Sequence, residues 1–232
     1  TYLFEEGSPD AVIAELASYQ NDDGGFGHWL ESDFALPASS VEATVVGFEY
    51  LSEVNAPADA VIVQRGVDYL LATYDREHGR WRAVPRQVND HPHAPWWHYN
   101  YAEGGCAIDR SLGNPSAEVV GYLNRWRELV PPTFLERVTE NFVGHLHALP
   151  DEGGSMHEIL CYMRMADGLA PELRRSCVEK LRRLVMNTTE TDPAKWGEYG
   201  AAPLFFVTAK DSPLADLYPG ALAANLDYVV ST

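Results

Sequence analysis

The sequence predicts an all-α protein in which inner and outer helices alternate around a ring, an α/α toroid. Residues 16–26 (LASYQNDDGGF) and 71–81 (LATYDREHGRW) align without a gap, as the units of a helical repeat do. Prolines, glycines and short polar residues separate the remaining segments at helix-length intervals. Sustained strand alternation is absent from the sequence, so helices are expected to form the whole framework.

The segments between these breaks are of two kinds. One kind has an apolar stripe and a polar face, which is typical of helices exposed on one side. The other is apolar nearly all round, which indicates burial on every side. The first kind covers 9–19, 59–74, 133–148, 171–187 and 214–230, and the second covers 40–53, 116–129 and 155–167. Because the two kinds alternate over much of the chain, we predict outer and inner helices.

A second repeat supports this assignment. Residues 43–48 (ATVVGF) match 117–122 (AEVVGY) without a gap, and both lie in apolar segments. We therefore predict a single toroid domain over residues 1–232. The ring is expected to be incomplete at its C-terminal end, because no closing repeat follows Val230. A stacked solenoid of helix pairs is the alternative architecture.

Composition limits the classes of function. With 34 acidic against 17 basic residues the formal charge is −17, which disfavours nucleic acids and anionic lipid surfaces as partners. No apolar run approaches the roughly 18–20 residues of a membrane span, and residues 1–10 lack the features of a signal peptide. Cys106, Cys161 and Cys177 form no CxxC pair, so we expect reduced thiols and a cytoplasmic location.

The first repeat also resembles a known family. Gln20, Gly24-Gly25 and Phe26 follow a predicted outer helix, as in the QW repeat of squalene-hopene cyclases and protein prenyltransferase β-subunits. The second copy resembles a degenerate repeat with Asp75 in place of Gln. The runs QNDDGGFGHWLESDFALPASS, HPHAPWW and DPAKWGEYG resemble an uncharacterised prokaryotic subgroup of this terpenoid cyclase and prenyltransferase superfamily. The resemblance implies a toroid with a central cavity for an apolar or isoprenoid-like substrate.

The chain departs from this family at the residues that carry chemistry. The DxDD motif of the cyclases is missing, and Asn21-Asp22-Asp23, the nearest run, lies inside the repeat. The zinc site of the prenyltransferases needs an Asp two positions before its Cys. At that position this chain has Gly104, Ile159 and Arg175 before Cys106, Cys161 and Cys177. The resemblance therefore implies a fold and leaves the reaction open, and we assign no metal and no cofactor.

A long connection at about residues 82–112, here called the insertion, is the strongest local anomaly. Long ordered loops in compact domains are usually functional, and this one is expected to form a lid over one mouth of the ring. In one interpretation Trp96 and Trp97 bind substrate while His91 or His93 transfers protons. In the other, the tryptophans anchor a lid that closes the core. The two histidines could hold a metal only with a third ligand, which the sequence does not identify.

The segment 155–167 has a polar stripe of His157, Cys161 and Arg164. Polar groups on an inner helix need partners or a wet cavity. In the functional interpretation His157 and Glu158 supply acid–base chemistry and Tyr162 contacts the substrate. In the alternative, the stripe pairs with carboxylates on the other apolar segments, namely Glu42, Glu49 and Glu118.

Three further residues complete the candidate set. Glu31 and Asp33 are expected at the same mouth as the insertion, where they would form an acid–base pair or bind helix N-termini. Trp196 would contact substrate or pack as an aromatic closure.

Three functional hypotheses remain open, and with them the question of whether the protein is an enzyme. The first is a prenyltransferase- or cyclase-like enzyme that acts by acid–base chemistry on an apolar or isoprenoid-like substrate. The second is a binding module for a peptide, glycan or lipid, so the expected partner is a small-molecule or lipid-like ligand. The third is a carbohydrate-active enzyme with paired carboxylates. The oligomeric state is not determined by the sequence.

Overall fold

In a computed structural model, which describes residues 7–232, helices form the regular secondary structure and only isolated β-bridges join extended residues. Among these residues no helix combines the length and apolar character needed to cross a bilayer. The segment without signal-peptide features, residues 1–10, includes residues 1–6, which lie outside the described residues. The helices are α1 Pro9–Leu16, α2 Val41–Glu53, α3 Val61–Ala72, α4 Ser116–Arg125, α5 Pro132–Ala148, α6 Met156–Gly168, α7 Pro171–Thr188, α8 Pro203–Phe206 and α9 Pro219–Ser231.

The helix starts follow local chemistry. Ser8 caps α1 by accepting a hydrogen bond from the Asp10 amide, and Ser40 caps α2 by accepting one from the Ala43 amide at 3.0 Å. Proline lies within the first two positions of α1 and of α5, α7, α8 and α9, where its missing N–H is not needed.

Two boundaries differ from the sequence-based ones by four or more residues. The segment 116–129 ends as an α-helix at Arg125, because Trp126 leaves the helical conformation and its indole donates to the Ala56 carbonyl at 3.0 Å. The last helix begins at Pro219 rather than near residue 214, and a run of turns precedes it. The hydrogen bond of Trp126 thus sets the end of α4, and the proline ring of Pro219 sets the start of α9.

Burial follows the predicted alternation only in part. Helices α2, α4 and α6, which cover the segments predicted as inner, are here called the inner helices. Helix α4 buries all residues from Ser116 to Leu123, but α6 leaves His157 and Asp167 exposed, and α3, predicted as an outer helix, buries half of its twelve residues. Each of α3, α5 and α7 lies against an inner helix and exposes its other face to solvent. Helices α4 and α6 approach closely at two glycines: a Cβ on Gly168 would lie 2.1 Å from the carbonyl oxygen of Gly121.

The first repeat fastens the end of α1 to the two helices that follow. The Gln20 amide donates to the carbonyls of Gly24 and Ile62, at 3.0 and 2.9 Å. Phe26 is wholly buried against Gly47 of α2, and its backbone amide donates to the hydroxyl of Thr44 at 3.0 Å. The turn is therefore bonded to α2 and α3 at the same time.

The second repeat does the same for α3 and α4. The Trp81 indole donates to the carbonyl of Leu70 in α3, and its ring packs 4.7 Å from that of Tyr74. The Trp81 amide donates to the hydroxyl of Ser116, the first residue of α4, at 3.0 Å. In each repeat an aromatic residue is thus held by a hydroxyl of the next inner helix.

The insertion is packed onto the helices through short 3-10 turns. Its buried residues include Val84, Val88 and Cys106. The buried carboxylate of Asp109 accepts hydrogen bonds from the amides of Ala83 and Cys106, at 3.0 and 2.9 Å. One carboxylate therefore joins the two ends of this connection.

The glycines of the two repeats give a matched test of this packing. Both Gly24 and Gly79 have positive φ, but a Cβ on Gly24 would lie 2.2 Å from the carbonyl oxygen of Arg65, whereas one on Gly79 meets only the Tyr74 hydroxyl at 3.7 Å. We expect Gly79→Ala to lower the free energy of unfolding by about 1–2 kcal/mol, the cost of the left-handed conformation. Gly24→Ala should lower it by about 3 kcal/mol or more, because the methyl group also collides with α3. Urea titrations of the two variants check this, and equal losses would contradict it.

Candidate functional site

The three inner helices are joined by one guanidinium group. Arg164 of α6 donates through Nη1 to both carboxylate oxygens of Glu118 in α4, at 2.9 and 3.0 Å. Its Nη2 donates to the carboxylate of Glu49 in α2. Charge-assisted bonds of this kind are stronger than neutral ones, so Arg164 fixes α2, α4 and α6 relative to one another.

Glu118 is almost completely buried in this arrangement. The Tyr122 hydroxyl, one helical turn later, donates to its Oε1 at 2.6 Å. Burial raises the pKa of Glu118, and the charge of Arg164 opposes that rise. The Arg164 guanidinium is therefore the neighbouring group that most favours the ionised form of this buried carboxyl.

Glu42 lies close by in the first turn of α2 and has no such partner. Its residue is half-buried, but its Oε2 is inaccessible to solvent and makes no hydrogen bond to the described residues. Burial, together with the charges of Glu118 and Glu31, raises the pKa of Glu42 to about 8. At neutral pH this carboxyl holds a proton.

Glu31 completes what is here called the acidic cluster: Glu31, Glu42, Glu49 and Glu118 with Arg164. Glu31 is half-buried, and its Oε1 accepts a hydrogen bond from the Asp33 amide at 3.1 Å. Burial raises the pKa of Glu31 despite this hydrogen bond, and the charges of Asp33 and Glu49 raise it further. The cluster thus contains more negative groups than Arg164 can neutralise.

The structure brings the predicted residues Glu31 and Asp33 beside the predicted His91 and His93. The two segments pair through their backbones: the Ala35 amide donates to the Pro92 carbonyl, and the Ala94 amide donates to the Asp33 carbonyl, each at 2.8 Å. The insertion therefore lies at the edge of the acidic cluster.

The histidine side chains of the insertion bond within it. The Nδ1 of His93 lies 2.6 Å from the His91 carbonyl oxygen, and the Nε2 of His93 lies 3.1 Å from the Nδ1 of His98. The rings of His93 and His98 are stacked. Among the described residues, no group of three or more His, Cys, Asp or Glu side chains is placed to hold a metal ion.

The two tryptophans of the insertion have different surroundings. Trp97 is buried and packs edge-on against Phe34, with ring centroids 5.4 Å apart. Trp96 is 46% exposed. Trp97 therefore holds the insertion against residues 20–40, the connection before α2 that is here called the first loop. This is the anchoring role of the second interpretation. The ring of Trp96 is open to solvent.

The remaining predicted residues lie at the start of α6 or beyond it, and each makes a contact of its own. His157 is exposed, and its Nε2 lies 2.9 Å from the Tyr199 hydroxyl. Glu158 accepts a hydrogen bond from the Gly113 amide at 2.8 Å. Tyr162 is wholly buried, and its hydroxyl is hydrogen-bonded to Nδ1 of His145. The Trp196 indole donates a hydrogen bond to the Glu190 carbonyl at 2.9 Å. A role for these four residues in binding or catalysis stays a prediction.

Three members of the acidic cluster, Glu42, Glu49 and Glu118, are predicted from the sequence as ion-pair partners of the polar stripe in α6, and not as catalytic residues. The alternative in which Arg164 pairs with carboxylates on the other apolar segments is confirmed for Glu49 and Glu118. The sequence predicts the same pairing for Glu42, but among residues 7–232 no cation forms an ion pair with its carboxyl group. The signal that could have singled it out is a carboxyl in a segment that is otherwise apolar nearly all round.

Comparisons of the chain with protein-family models, with curated proteins and with solved structures give no match. The functional argument therefore depends on the geometry and charge of the site.

The ion pairs of Arg164 can be tested by removing the cation. We expect Arg164→Met to lower the free energy of unfolding at pH 7 by about 3 kcal/mol, because Glu118 is left as an uncompensated buried charge. The matched control is Arg174→Met, which breaks an exposed pair with Asp167 and should cost about 1 kcal/mol or less. Urea titration measures both. A loss for Arg164→Met no larger than that of the control would contradict this account.

Glu42 gives stability a distinctive dependence on pH. Its folded pKa of about 8 lies above the ordinary 4.5, so between these values the folded chain keeps a proton that the unfolded chain has lost. The free energy of unfolding should therefore fall as pH rises through this window, by about 1 kcal/mol per pH unit. Glu42→Gln should remove this contribution and be more stable than wild type at pH 8.

The control for this experiment is Glu140→Gln, which makes the same change on the exposed face of α5. It should keep the wild-type slope of unfolding free energy against pH. A Glu42→Gln variant whose slope matches that of wild type would show that Glu42 titrates normally.

Proposed function

We propose that the protein is an enzyme whose active site is the acidic cluster, with Glu42 as the general acid. The observation that carries the proposal is a buried carboxyl oxygen, the Oε2 of Glu42, which makes no hydrogen bond to the described residues and lies near the two carboxyl groups that pair with Arg164. Burial and the neighbouring carboxyl groups raise the pKa of Glu42 to about 8. Environments that push the pKa values of neighbouring carboxyl groups apart are the usual basis of acid–base catalysis. A group with a pKa near the working pH is also the most effective proton donor.

The residues have distinct roles in this proposal. Glu42 gives its proton to the substrate, and the positive charge that develops there is stabilised by the ionised Glu42 and by Glu49. Glu31 is close enough to influence the Glu42 charge and acts as the base that takes a proton back. Glu118 and Tyr122 are positioning residues, since their contacts hold Arg164 and, through it, Glu49.

The proposed architecture around this site is the α/α toroid, with the cluster on its inner wall. The alternation of the inner helices α2, α4 and α6 with the outer helices α3, α5 and α7 supports it, as does their convergence on Arg164. A toroid is also what the resemblance to the terpenoid cyclases and prenyltransferases implies.

An apolar or isoprenoid-like substrate is the first candidate for this site. A groove of about 500 Å³ lies between α1, the first loop and α2, and its apolar lining includes Val12, Leu16, Tyr19, Leu30 and Tyr50. Leu30 and Tyr50 are the chain neighbours of Glu31 and Glu49, although the four glutamates of the cluster do not themselves line the groove. The negative charge of the cluster disfavours a diphosphate, and we therefore propose an uncharged or cationic substrate.

A glycoside is the second candidate, because a protonated carboxyl beside an ionised one is the arrangement that glycoside hydrolysis needs. Binding without chemistry is the remaining hypothesis, and it needs no proton donor at the site.

Glu42→Gln tests the enzyme proposal directly. Purified protein would be incubated with a panel of polyprenyl alcohols, cyclic and acyclic terpenes and neutral oligosaccharides, and products would be separated by chromatography. For any substrate that wild type converts, Glu42→Gln should lower kcat by about 10²-fold or more, because the amide has no proton to donate. Glu140→Gln serves as the matched control and should retain the wild-type rate. Equal turnover by Glu42→Gln and wild type would rule out Glu42 as the acid.

A further inference from the structure

Another cavity lies between α6, α7 and the connection 207–218 that joins α8 to α9. Its volume is about 240 Å³, below the roughly 300–1,000 Å³ of sites for drug-sized ligands, so it suits a smaller molecule. Arg182 of α7 fastens the connection, because its guanidinium donates to the Pro213 carbonyl at 2.8 Å and to the two carboxylate oxygens of Asp216 at 2.7 and 2.8 Å. The wall that the connection contributes is therefore held against α7.

This cavity is separate from the acidic cluster. Met163, Ala166 and Asp167 line it from α6. Met165 lies on the opposite face of the same helix, against Gly121 of α4. Because no member of the acidic cluster lines the cavity, it has no part in the proposed function.

The inner part of the cavity is apolar. Leu181 of α7, Phe206 of α8 and Leu214 of the connection line it and are buried. Met163 and Val178 line it as half-buried residues. A hydrocarbon group that leaves water for such a surface is stabilised in proportion to the area it buries. The inner part therefore accepts an apolar side chain of a ligand.

The rim of the cavity carries charges of both signs. The Nη2 of Arg174, in the first turn of α7, donates to the Oδ1 of Asp167 at 2.7 Å, and both side chains are open to solvent. Asp211 lines the rim from the connection, with the hydroxyl residues Thr208 and Ser212. A guanidinium has five N–H donors, so Arg174 can bind a carboxylate as well as Asp167. The carboxylates of Asp167 and Asp211 can accept charge-assisted hydrogen bonds from an ammonium group.

The spacing of these charges restricts the ligand. Because Arg174 and Asp167 are in direct contact, a ligand that meets both must carry its own carboxylate and ammonium side by side, as an α-amino acid does. Exposed ion pairs contribute little to stability, so the ligand charges can enter this pair at small cost. An apolar side chain on the same amino acid matches the inner part of the cavity.

We propose that this cavity binds a free α-amino acid with an apolar side chain. Its carboxylate pairs with Arg174, and its ammonium group pairs with Asp167 and is attracted by Asp211. Its side chain packs against Leu181 and Phe206.

L-Leucine is a suitable probe, because two analogues each remove one of its charges. 3-Methylbutan-1-amine lacks the carboxylate and 4-methylpentanoic acid lacks the ammonium group, and both keep the same hydrocarbon. Titrations at pH 7, followed by ligand-observed NMR, would compare the three compounds on wild type, Arg174→Met and Asp167→Asn. The matched control is Arg175→Met, which removes the neighbouring arginine of α7, an exposed residue that does not line the cavity.

For wild type we expect L-leucine to bind about tenfold more tightly than either analogue, because each analogue loses charge-assisted hydrogen bonds. Arg174→Met should lose the preference for L-leucine over the amine and keep the preference over the acid. Asp167→Asn should lower the preference over the acid and keep the preference over the amine. Arg175→Met should bind all three compounds as wild type does.

Three results would overturn the proposal. They are equal affinities of wild type for the three compounds, an absence of L-leucine binding to wild type, and preferences in Arg174→Met that are the same as in wild type. Because the analogues are compared on wild-type protein, a variant that fails to fold leaves the first two results decisive, and circular dichroism identifies such a variant.

Discussion

The rest of the structure depends on the bonds that Arg164 makes to Glu118 and Glu49. These bonds cross from α6 to both other inner helices, and without them the almost completely buried carboxyl group of Glu118 would lose its cation. Because Arg164 pairs with these two carboxyl groups, it forms no ion pair with Glu42. Burial therefore raises the pKa of Glu42 to about 8, so that the neutral form is favoured at pH 7. The arrangement that holds the inner helices together therefore also creates a carboxyl group suited to acid chemistry.

Much of the fold was accessible from the sequence, because helix type and burial are periodic properties. The gapless repeats predicted two similar turns, and Phe26 and Trp81 are both held by a hydroxyl of the next inner helix. The ends of helices were less accessible. Trp126 stops α4 through a hydrogen bond to Ala56, a residue 70 positions away along the chain, and no local pattern contains that information.

The site was predicted only in part, for a related reason. Residue type and spacing suggested that Arg164 pairs with carboxylates, and that pairing is present. They could not show which carboxylate would be left over. A glutamate in the first turn of a helix is ordinary, since negative charge is favourable there. Glu42 is unusual because three carboxyl groups from distant segments raise its pKa, namely those of Glu118, Glu31 and Asp109. For the aromatic residues the sequence leaves two roles open, because a buried ring such as that of Trp97 can pack in the core or line a cavity.

The contact between Gly121 and Gly168 has a consequence for how a ligand reaches Glu42. Backbones that touch without intervening side chains cannot slide or separate without losing the contact altogether, so α4 and α6 behave as one rigid body. The insertion, by contrast, meets the first loop through a few backbone hydrogen bonds and the ring of Trp97. Because the insertion is itself packed onto the helices through Val84, Val88 and Cys106, any opening toward Glu42 is expected at the contact between the insertion and the first loop, while α4 and α6 stay together.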